Sequence, residues 1–293
     1  MKRSPDVFRP ARPSERNRML RYPRREPEFN IFLIGDLLSY GLSSRAARFF
    51  VLERAGKCQA VLMRHSADGE SLHVYAPRPI SDPDPIASWM RRFMLRRREC
   101  GLLGKSEIVR PLIERIGIKP SVDEPHLFAV CRKLRAQTPA AWPIERANVS
   151  DAKELAALIS AALQPQDSTQ LARSISSGRR VVALAREPRH GRIVCTASRV
   201  AGTDSAAMII AVATHPRYRH RGLASACVAD LVRELHREKK AAALFYHSPV
   251  AGDLYRRMGF RDMGGWTFAS FRRATAKTAA FSRKERKGRK EKR

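Results

Sequence analysis

The chain has 293 residues, enough for about two domains, and 43% of them are hydrophobic, which excludes disorder along the whole length. It is strongly basic: 57 Lys and Arg against 28 Asp and Glu give a formal net charge of +29, to which residues 1–28 contribute +5 and residues 283–293 contribute +6. The +18 that remains between them suits a polyanionic partner, such as nucleic acid, an anionic membrane surface or a phosphorylated cofactor, but an Arg-rich composition alone can also produce it.

The five cysteines lie far apart with no C-x-x-C pair, and their odd number argues against a disulfide framework. No apolar run reaches the ~18 residues of a membrane-spanning helix. The N-terminal sequence carries Pro and charge where a secretory signal has its apolar core. We therefore expect a cytoplasmic protein with no membrane partner.

Composition divides the chain into four parts. Residues 1–27 are rich in Arg and Pro and have few apolar side chains, which predicts a flexible basic arm. A charge run near the other end predicts a disordered basic tail at 273–293. Two prolines within 135–143 interrupt any regular element, so we place a boundary there and predict domains at 28–134 and 143–272.

The first domain begins with a helical pattern at 30–40, which closes at Gly41. The elements predicted after it are three strands at 49–54, 59–64 and 71–76, a helix at 85–98, a short strand at 100–103, a helix at 107–116 and a strand at 127–132. The three consecutive strands with short turns predict an antiparallel meander.

The second domain begins with a helix for which Ser150 is the predicted N-cap. The elements predicted after it are a short helix at 171–175, strands at 181–187, 193–200 and 206–214, a helix at 223–239, a strand at 242–247, a helix at 251–258 and a strand at 265–271. Both domains therefore show helix, three strands, helix, strand, helix and strand, which predicts a duplicated architecture.

The segment 212–225 carries the most chemical information. A buried strand enters a turn containing Pro216, then a basic loop containing Gly222, then an amphipathic helix. The N–H groups of a helix N-terminus attract an anion, Gly222 lets the backbone approach it closely, and the small Ala224 avoids blocking it. The physics of this loop predicts a site for a pyrophosphate group. Neither the Walker pattern nor the G-x-G-x-x-G dinucleotide pattern occurs in the chain.

Two motifs resemble the GNAT superfamily, the GCN5-related N-acetyltransferases. Arg219-x-x-Gly222-x-Ala224 matches the R/Q-x-x-G-x-G/A signature of that family. Further along, residues 248–260 are similar to its pattern N-x-x-A-x-x-L-Y-x-x-x-G-F, with Ser248 in place of the usual Asn. The positions that match in register are Ala251, Leu254, Tyr255, Gly259 and Phe260. The resemblance covers residues 143–272, somewhat under half of the chain.

The resemblance implies an α/β (α+β) fold of two GNAT-like domains in tandem, each with a mixed, mostly antiparallel sheet flanked by helices. It also implies transfer of an acetyl or other acyl group from acetyl-CoA to a primary amine by direct attack in a ternary complex, without a metal. In this mapping, Tyr255 protonates the departing thiolate. The residues implied to bind acyl-CoA are Val212, Ala213, Thr214, Arg219, His220, Arg221, Gly222, Leu223, Ala224, Ser225 and Ser248.

The general base is not evident, because many relatives carry a Glu on the strand that here runs from 206 to 214 without a carboxylate. His247 is the candidate we favour, since histidine suits proton transfer at neutral pH, and His215 also lies near the cleft. A water relay or an unprotonated amine would serve as well. Tyr255 could instead be a core aromatic residue, and His247 a hydrogen-bonded strand end.

The first domain lacks the corresponding loop. Residues 76–85 contain several prolines and two acidic residues but no glycine, so they offer few N–H donors and the wrong charge for pyrophosphate. We therefore expect a vestigial domain there. Two other functions stay open: a non-catalytic module that binds acyl-CoA or docks a partner, and a basic nucleic-acid-associated protein. The amine acceptor cannot be identified from the sequence.

Overall fold

The computed structural model of the protein describes residues 6–67, 69–135, 142–163 and 165–272, and for Ala201 it describes the backbone only. The helices are α1 (Arg16–Arg21), α2 (Ile31–Tyr40), α3 (Asp84–Leu95), α4 (Ser106–Ile116), α5 (Ala152–Ala162), α6 (Ser168–Ser176), α7 (Leu223–Arg237) and α8 (Pro249–Met258). The strands are β1 (Val7–Pro10), β2 (Ala47–Arg54), β3 (Lys57–His65), β4 (Ser71–Tyr75), β5 (Glu99–Lys105), β6 (Val122–Cys131), β7 (Glu145–Arg146), β8 (Arg180–Arg186), β9 (Ile193–Gly202), β10 (Ala206–Thr214), β11 (Ala241–Tyr246) and β12 (Arg261–Arg272).

These bounds confirm the predicted order of elements. In both halves of the chain, three antiparallel strands lead into a helix, a strand that pairs in parallel, and a second helix: β2–β3–β4–α3–β5–α4 and then β8–β9–β10–α7–β11–α8. The fold is thus mixed α/β with mostly antiparallel strands, as predicted. None of the described helices is long and apolar enough to cross a membrane.

The described residues form two compact units. Unit 1 consists of 6–11, 43–124 and 267–272, and unit 2 of 12–42, 125–266. These units differ from the contiguous domains 28–134 and 143–272 predicted from the sequence. Helix α2 contacts β9 and β10 in unit 2, and the second half of β6, Leu127 to Cys131, pairs with β11 there. Which segments pack together is decided by long-range pairing, which local periodicity does not report.

In unit 1, strands β1 to β5 follow one another in chain order across the sheet. The pairs are antiparallel except for β4 and β5, which are parallel. Helices α3 and α4 bury Met90 and Leu112 against this sheet, and the end of β12 adds Ala269 and Phe271 to the same core. The parallel pairing of β5 with β4 therefore follows the antiparallel meander of β1 to β4.

In unit 2, the strand order is β6–β11–β10–β9–β8–β7, and only β10 and β11 are parallel among the registered pairs. The side chains of β8 alternate between two cores, one under α7 and one under α5. The amphipathic helix predicted after the loop is α7, and four apolar residues on one of its faces are fully buried: Val228, Leu231, Val232 and Leu235. The two helices therefore cover opposite faces of the sheet.

The prediction of a flexible arm at 1–27 is wrong for its described part. Strand β1 pairs with β2, and the ring of Phe8 stacks on that of Phe50 with centroids 5.5 Å apart. In unit 2, Met19 and Leu20 of α1 are buried. The segment is held because most of its few apolar side chains, such as Phe8, Met19 and Leu20, are buried or half-buried. The predicted tail at 273–293 lies outside the described residues.

The predicted N-cap is also wrong. Asn148, and not Ser150, caps the 3₁₀ turn that leads into α5, because the Asn148 side chain accepts a hydrogen bond from the Ser150 N–H at 2.9 Å. Asp151 completes the capping box by accepting from the N–H of Asn148. The extra turn moves the start of the helical segment two residues towards the N-terminus of the chain.

Candidate active site

The candidate site lies where β10 and β11 of unit 2 separate. Within the described strands, the two are paired only between Ala206–Met208 and Ala241–Ala243, although β10 continues to Thr214 and β11 to Tyr246. Beyond Met208, the edge of β10 that faces β11 therefore has no strand partner. Backbone N–H and C=O groups require partners, so this edge can bind an extended ligand that carries amides.

A β-bulge marks this separation. The register of β10 against β9 shifts between Ile210 and Ala213, and Ala211 adopts a positive φ of 52°. A left-handed conformation costs a non-glycine residue about 1–2 kcal/mol, so the surrounding sheet has to stabilise it. Bulges re-aim backbone and side chains, and are common next to active sites. The residues after this bulge are Val212, Ala213 and Thr214, for which the resemblance to the GNAT family implies contact with acyl-CoA.

The loop after β10 connects this strand to the N-terminus of α7. Its 3₁₀ turn Pro216–Tyr218 is capped by His215, whose Nδ1 accepts from the N–H of Arg217 at 3.3 Å, so His215 has a structural task here. His220 and Gly222 then adopt left-handed backbone conformations, with φ of 61° and 73°. These conformations turn the chain sharply into the first residue of α7, Leu223.

The N-terminus of α7 has the features of an anion site. In an α-helix the first N–H groups have no partner within the helix, which here leaves those of Leu223, Ala224 and Ser225. The Ser225 hydroxyl donates to the Gly222 carbonyl at 2.7 Å, which leaves these N–H groups untouched. The first turn of α7 contains no acidic residue. The partial positive charge of the helix N-terminus is therefore not neutralised locally.

The arginines of the loop occupy different places. Arg219 lies back along the strand end, where its Nε donates to the Thr214 carbonyl at 3.4 Å. The guanidinium of Arg221 lies over two aromatic rings, 5.5 Å from the centroid of Tyr218 and 5.7 Å from that of Trp142. Trp142 was missed by sequence reasoning because it stands among the residues interpreted as a linker. A large aromatic side chain between prolines was the only available signal.

Tyr255 of α8 is buried, with its ring 5.8 Å from that of Tyr246 at the end of β11. Burial raises the pKa of its phenol, and the nearby Cys195 thiol raises that pKa further. Cys195 lies opposite Thr214 in the β9–β10 register, so Tyr255 lies at the ends of both separating strands. Among the described residues, its hydroxyl has no hydrogen-bond partner. The geometry thus brings a protonated, unengaged phenol to the opening.

His247 directly follows β11 and is exposed, and its ring lies edge-on to that of His126 with centroids 5.2 Å apart. Side chains alternate along a strand, so His247 lies on the face opposite to Tyr246 and Tyr255. Ser248 occupies the N-cap position of α8, but its side chain makes no capping hydrogen bond. The Ser248 hydroxyl is therefore not committed to the helix.

The comparisons with known proteins concern the fold of the chain. Residues 176–268 match the family model of the GNAT acetyltransferases. A GCN5-related N-acetyltransferase from Sphaerobacter thermophilus is similar in structure, with a TM-score of 0.64 and 17% identity over 93% of this chain and 98% of that one. A tandem GNAT protein from the clavulanic acid biosynthesis pathway has a TM-score of 0.57 and 12% identity, covering 93% and 100% of the two chains.

A Drosophila protein is also similar, with a TM-score of 0.66 and 14% identity over 90% of this chain and 98% of that one. A search of the curated proteins finds no match. The fold and the open parallel pair define a mixed α/β protein with an acetyltransferase-type sheet. The family match covers residues 176–268, about a third of the chain, and the likeness to a tandem GNAT protein supports a fold of two GNAT-like domains.

Proposed function

We propose that the chain is an N-acyltransferase that moves an acetyl group from acetyl-CoA to a primary amine by direct attack in a ternary complex. The observation that carries the proposal is the open edge of β10 next to the uncapped N-terminus of α7. The backbone of Val212, Ala213 and Thr214 would pair with the pantetheine amides of acetyl-CoA. The loop that begins at Arg219 would bind its pyrophosphate.

The loop gives the pyrophosphate three kinds of support. The N–H groups at the start of α7 point along the helix axis, and the positive φ of Gly222 lets the backbone come close without a side chain in the way. Arg219 and Arg221 add two positive charges. The neighbouring residues that complete the contact are His220, Leu223, Ala224 and Ser225. No metal is needed for this charge balance.

The chemical step forms a bond between the amine nitrogen and the thioester carbonyl carbon and then breaks the bond from that carbon to sulfur. The sulfur leaves as a thiolate, which is a better leaving group once it is protonated. Tyr255 is the donor we propose, because a phenol carries its proton at neutral pH and the Tyr255 hydroxyl has no hydrogen-bond partner among the described residues. A positioned acid typically contributes ~10²–10⁴ in rate.

The amine must lose a proton, and His247 is the group we propose to accept it. Strand β10 carries no carboxylate, while His247 stands at the end of β11 on the face opposite to Tyr255. An amine that enters from the face of His247 would approach the thioester carbon from the side opposite to Tyr255. In His247→Gln, we expect a lower kcat with the KM for acetyl-CoA unchanged. An unchanged kcat would assign the proton to water or to an amine that is already neutral.

The test of the proposed reaction follows CoA thiol release from acetyl-CoA with a panel of small primary amines and lysine-containing peptides. Tyr255→Phe removes only the phenol oxygen and should lower kcat about 100-fold or more, with the KM for acetyl-CoA changed less than about twofold. Tyr246→Phe is the matched control, because its hydroxyl is already bound to Asp262 at 2.5 Å and to Arg256 at 3.2 Å.

Equal rates for the wild type and Tyr255→Phe would remove Tyr255 from the reaction. Binding of acetyl-CoA without transfer to any acceptor in the panel or in a protein extract would instead favour the non-catalytic module. Two observations keep that alternative open: Ser248 stands where relatives have Asn, and the strand lacks the usual Glu.

A further inference from the structure

The segment between the two predicted domains supplies an aromatic side chain to the candidate site. Trp142 is half-buried and packs against the core beneath α7. Its ring meets that of Tyr218 nearly edge-on, with centroids 5.6 Å apart. The Tyr218 ring is in turn 5.5 Å from that of His215, which caps the same loop. Three rings therefore lie in a row at the loop that leads into α7, and the loop itself supplies two of them.

Arg221 rests on this row of rings. Its guanidinium lies within 5.7 Å of the centroids of both Trp142 and Tyr218, a distance at which an aromatic ring attracts a cation. A cation held by the attraction of aromatic rings uses none of its N–H donors for that contact. The two rings can therefore position the charge of Arg221 without consuming its hydrogen bonds.

No acidic side chain among the described residues pairs with Arg221, although many arginines of unit 2 are paired. Arg146 binds Asp230 and Glu234, and Arg199 binds Glu238. Arg221 is exposed and lies two positions before the first residue of α7. Its charge and that of the helix N-terminus therefore act on the same volume, and neither is neutralised by a carboxylate of the loop.

We propose that Trp142 is a positioning residue for acyl-CoA: with Tyr218 it holds Arg221 so that the guanidinium donors face a phosphate group of the co-substrate. This inference rests on the proposed function, because the phosphate is that of the CoA moiety. Both the pyrophosphate and the 3′-phosphate of CoA have this chemistry. The loop sets the affinity for the co-substrate, and Trp142 acts on that affinity only through Arg221.

The first test measures coenzyme A binding by calorimetry in the full chain, with no acceptor present. Each ring contact of an exposed cation changes affinity about two- to fivefold, so Trp142→Ala should raise the Kd for CoA about fivefold. Trp142→Phe retains an aromatic face and should restore the Kd to within about twofold of the wild type. Ile144→Ala is the matched control, since Ile144 packs against the same core from the same segment.

A structural role of Trp142 would give a different pattern. It would lower the melting temperature and the binding-competent fraction, but leave the Kd of the folded protein unchanged. In turnover, positioning predicts a higher KM for acetyl-CoA with kcat unchanged. A Kd for Trp142→Ala equal to that of the wild type would overturn the inference.

A double-mutant cycle makes the test sharper. In an Arg221→Ala background, Trp142→Ala should have no further effect on the Kd, because the two side chains act as one unit. The same loss in both backgrounds would contradict the inference. Repeating the cycle with dephospho-CoA assigns the phosphate: coupling that persists points to the pyrophosphate, and coupling that disappears points to the 3′-phosphate.

The outcomes also separate this inference from the proposed function. CoA binding that depends on Trp142 through Arg221, without acetyl transfer, would leave the inference standing and overturn the transferase. Acetyl transfer with an affinity indifferent to Trp142 would do the reverse. A wild-type chain that binds no CoA would overturn both.

Discussion

In unit 1, the parallel strands β4 and β5 are paired along nearly the whole of β4, with Ser71–Val74 against Gly101–Gly104. In unit 2, the corresponding strands β10 and β11 pair over three residues and then separate. Gly104 explains part of this difference: a Cβ at this position would lie 2.5 Å from the Val74 carbonyl oxygen. The same order of elements therefore produces a closed pair in one unit and an open one in the other.

The loops that follow β4 and β10 also differ, since the helix N-terminus is occupied in unit 1 and open in unit 2. At the start of α3 in unit 1, Asp82 accepts a hydrogen bond from the N–H of Asp84 at 3.1 Å, and both Asp84 oxygens bind Arg115. The chain's own carboxylates thus occupy the helix N-terminus. The loop before α7 in unit 2 has Gly222 and no acidic residue in the first turn of the helix. This contrast supports a vestigial unit 1 and a single acyl-CoA site in unit 2.

The most severe way to break the contrast is to give the loop of unit 2 the acidic character of unit 1. Gly222→Asp places a carboxylate beside the proposed pyrophosphate site. At about 5 Å and an effective dielectric of about 20, each charge pair costs roughly 3 kcal/mol, so the Kd for acetyl-CoA should rise about 100-fold. Calorimetry measures the change.

The matched control for this change is Gly178→Asp. Gly178 is exposed and has a similar φ of 69°, and no atom lies within 4 Å of the position that a Cβ would take, but this glycine follows α6. The control variant should lose similar stability and keep the wild-type affinity. Equal affinity losses in the two variants would show that the loop before α7 is not the anion site.

A second change acts on the closed pair of unit 1. Gly104→Ala puts a methyl group against the Val74 carbonyl and 2.9 Å from Cγ2 of Val109. Because the neighbours are backbone and core atoms, we expect a loss of about 2–3 kcal/mol in the free energy of unfolding. The affinity of the folded protein for acetyl-CoA should not change. Urea unfolding and calorimetry measure the two quantities, and a stable Gly104→Ala would mean that the pair does not need the glycine.

The third change concerns pH. His73 on β4 is fully buried, which lowers its pKa from 6.5 to about 3. The folded state therefore favours the neutral imidazole, and this contribution to stability is complete above pH 6.5 and is lost progressively as the pH falls towards 3. The corresponding strand of unit 2, β10, contains no histidine.

His73→Leu should make the stability lost between pH 7 and pH 5 smaller by about 2 kcal/mol, at about 1.4 kcal/mol for each pH unit below 6.5. Urea unfolding at the two pH values measures the difference. If the wild type and the variant lose equal stability over this range, burial of His73 is not the cause.

The sequence was sufficient for much of the fold and for the loop. The hydrophobic periodicity of α7 and the glycines that end α2 and α4 are local signals, and the structure follows them. The motif around Gly222 is local too, since the loop and the start of α7, which we propose to bind the anion, are adjacent in the sequence. Tyr255 was found because its helix carries a second motif in register.

The remainder depends on contacts that no local pattern reports. Nothing in the sequence of β10 indicates a bulge at Ala211, because all the residues around it are small or apolar. The placement of α2 with unit 2 depends on its packing against β9 and β10. Trp142 gains its place from Tyr218 and Arg221, which lie more than seventy residues further along the chain.

The contrast between the two GNAT-like units leads us to expect that only unit 2 binds acyl-CoA. Calorimetric titration of the full chain with acetyl-CoA is the decisive experiment, because it counts sites without requiring an acceptor. We expect one site per chain, which the Gly222→Asp substitution weakens. Two sites per chain, or one site that is indifferent to Gly222→Asp, would contradict this conclusion.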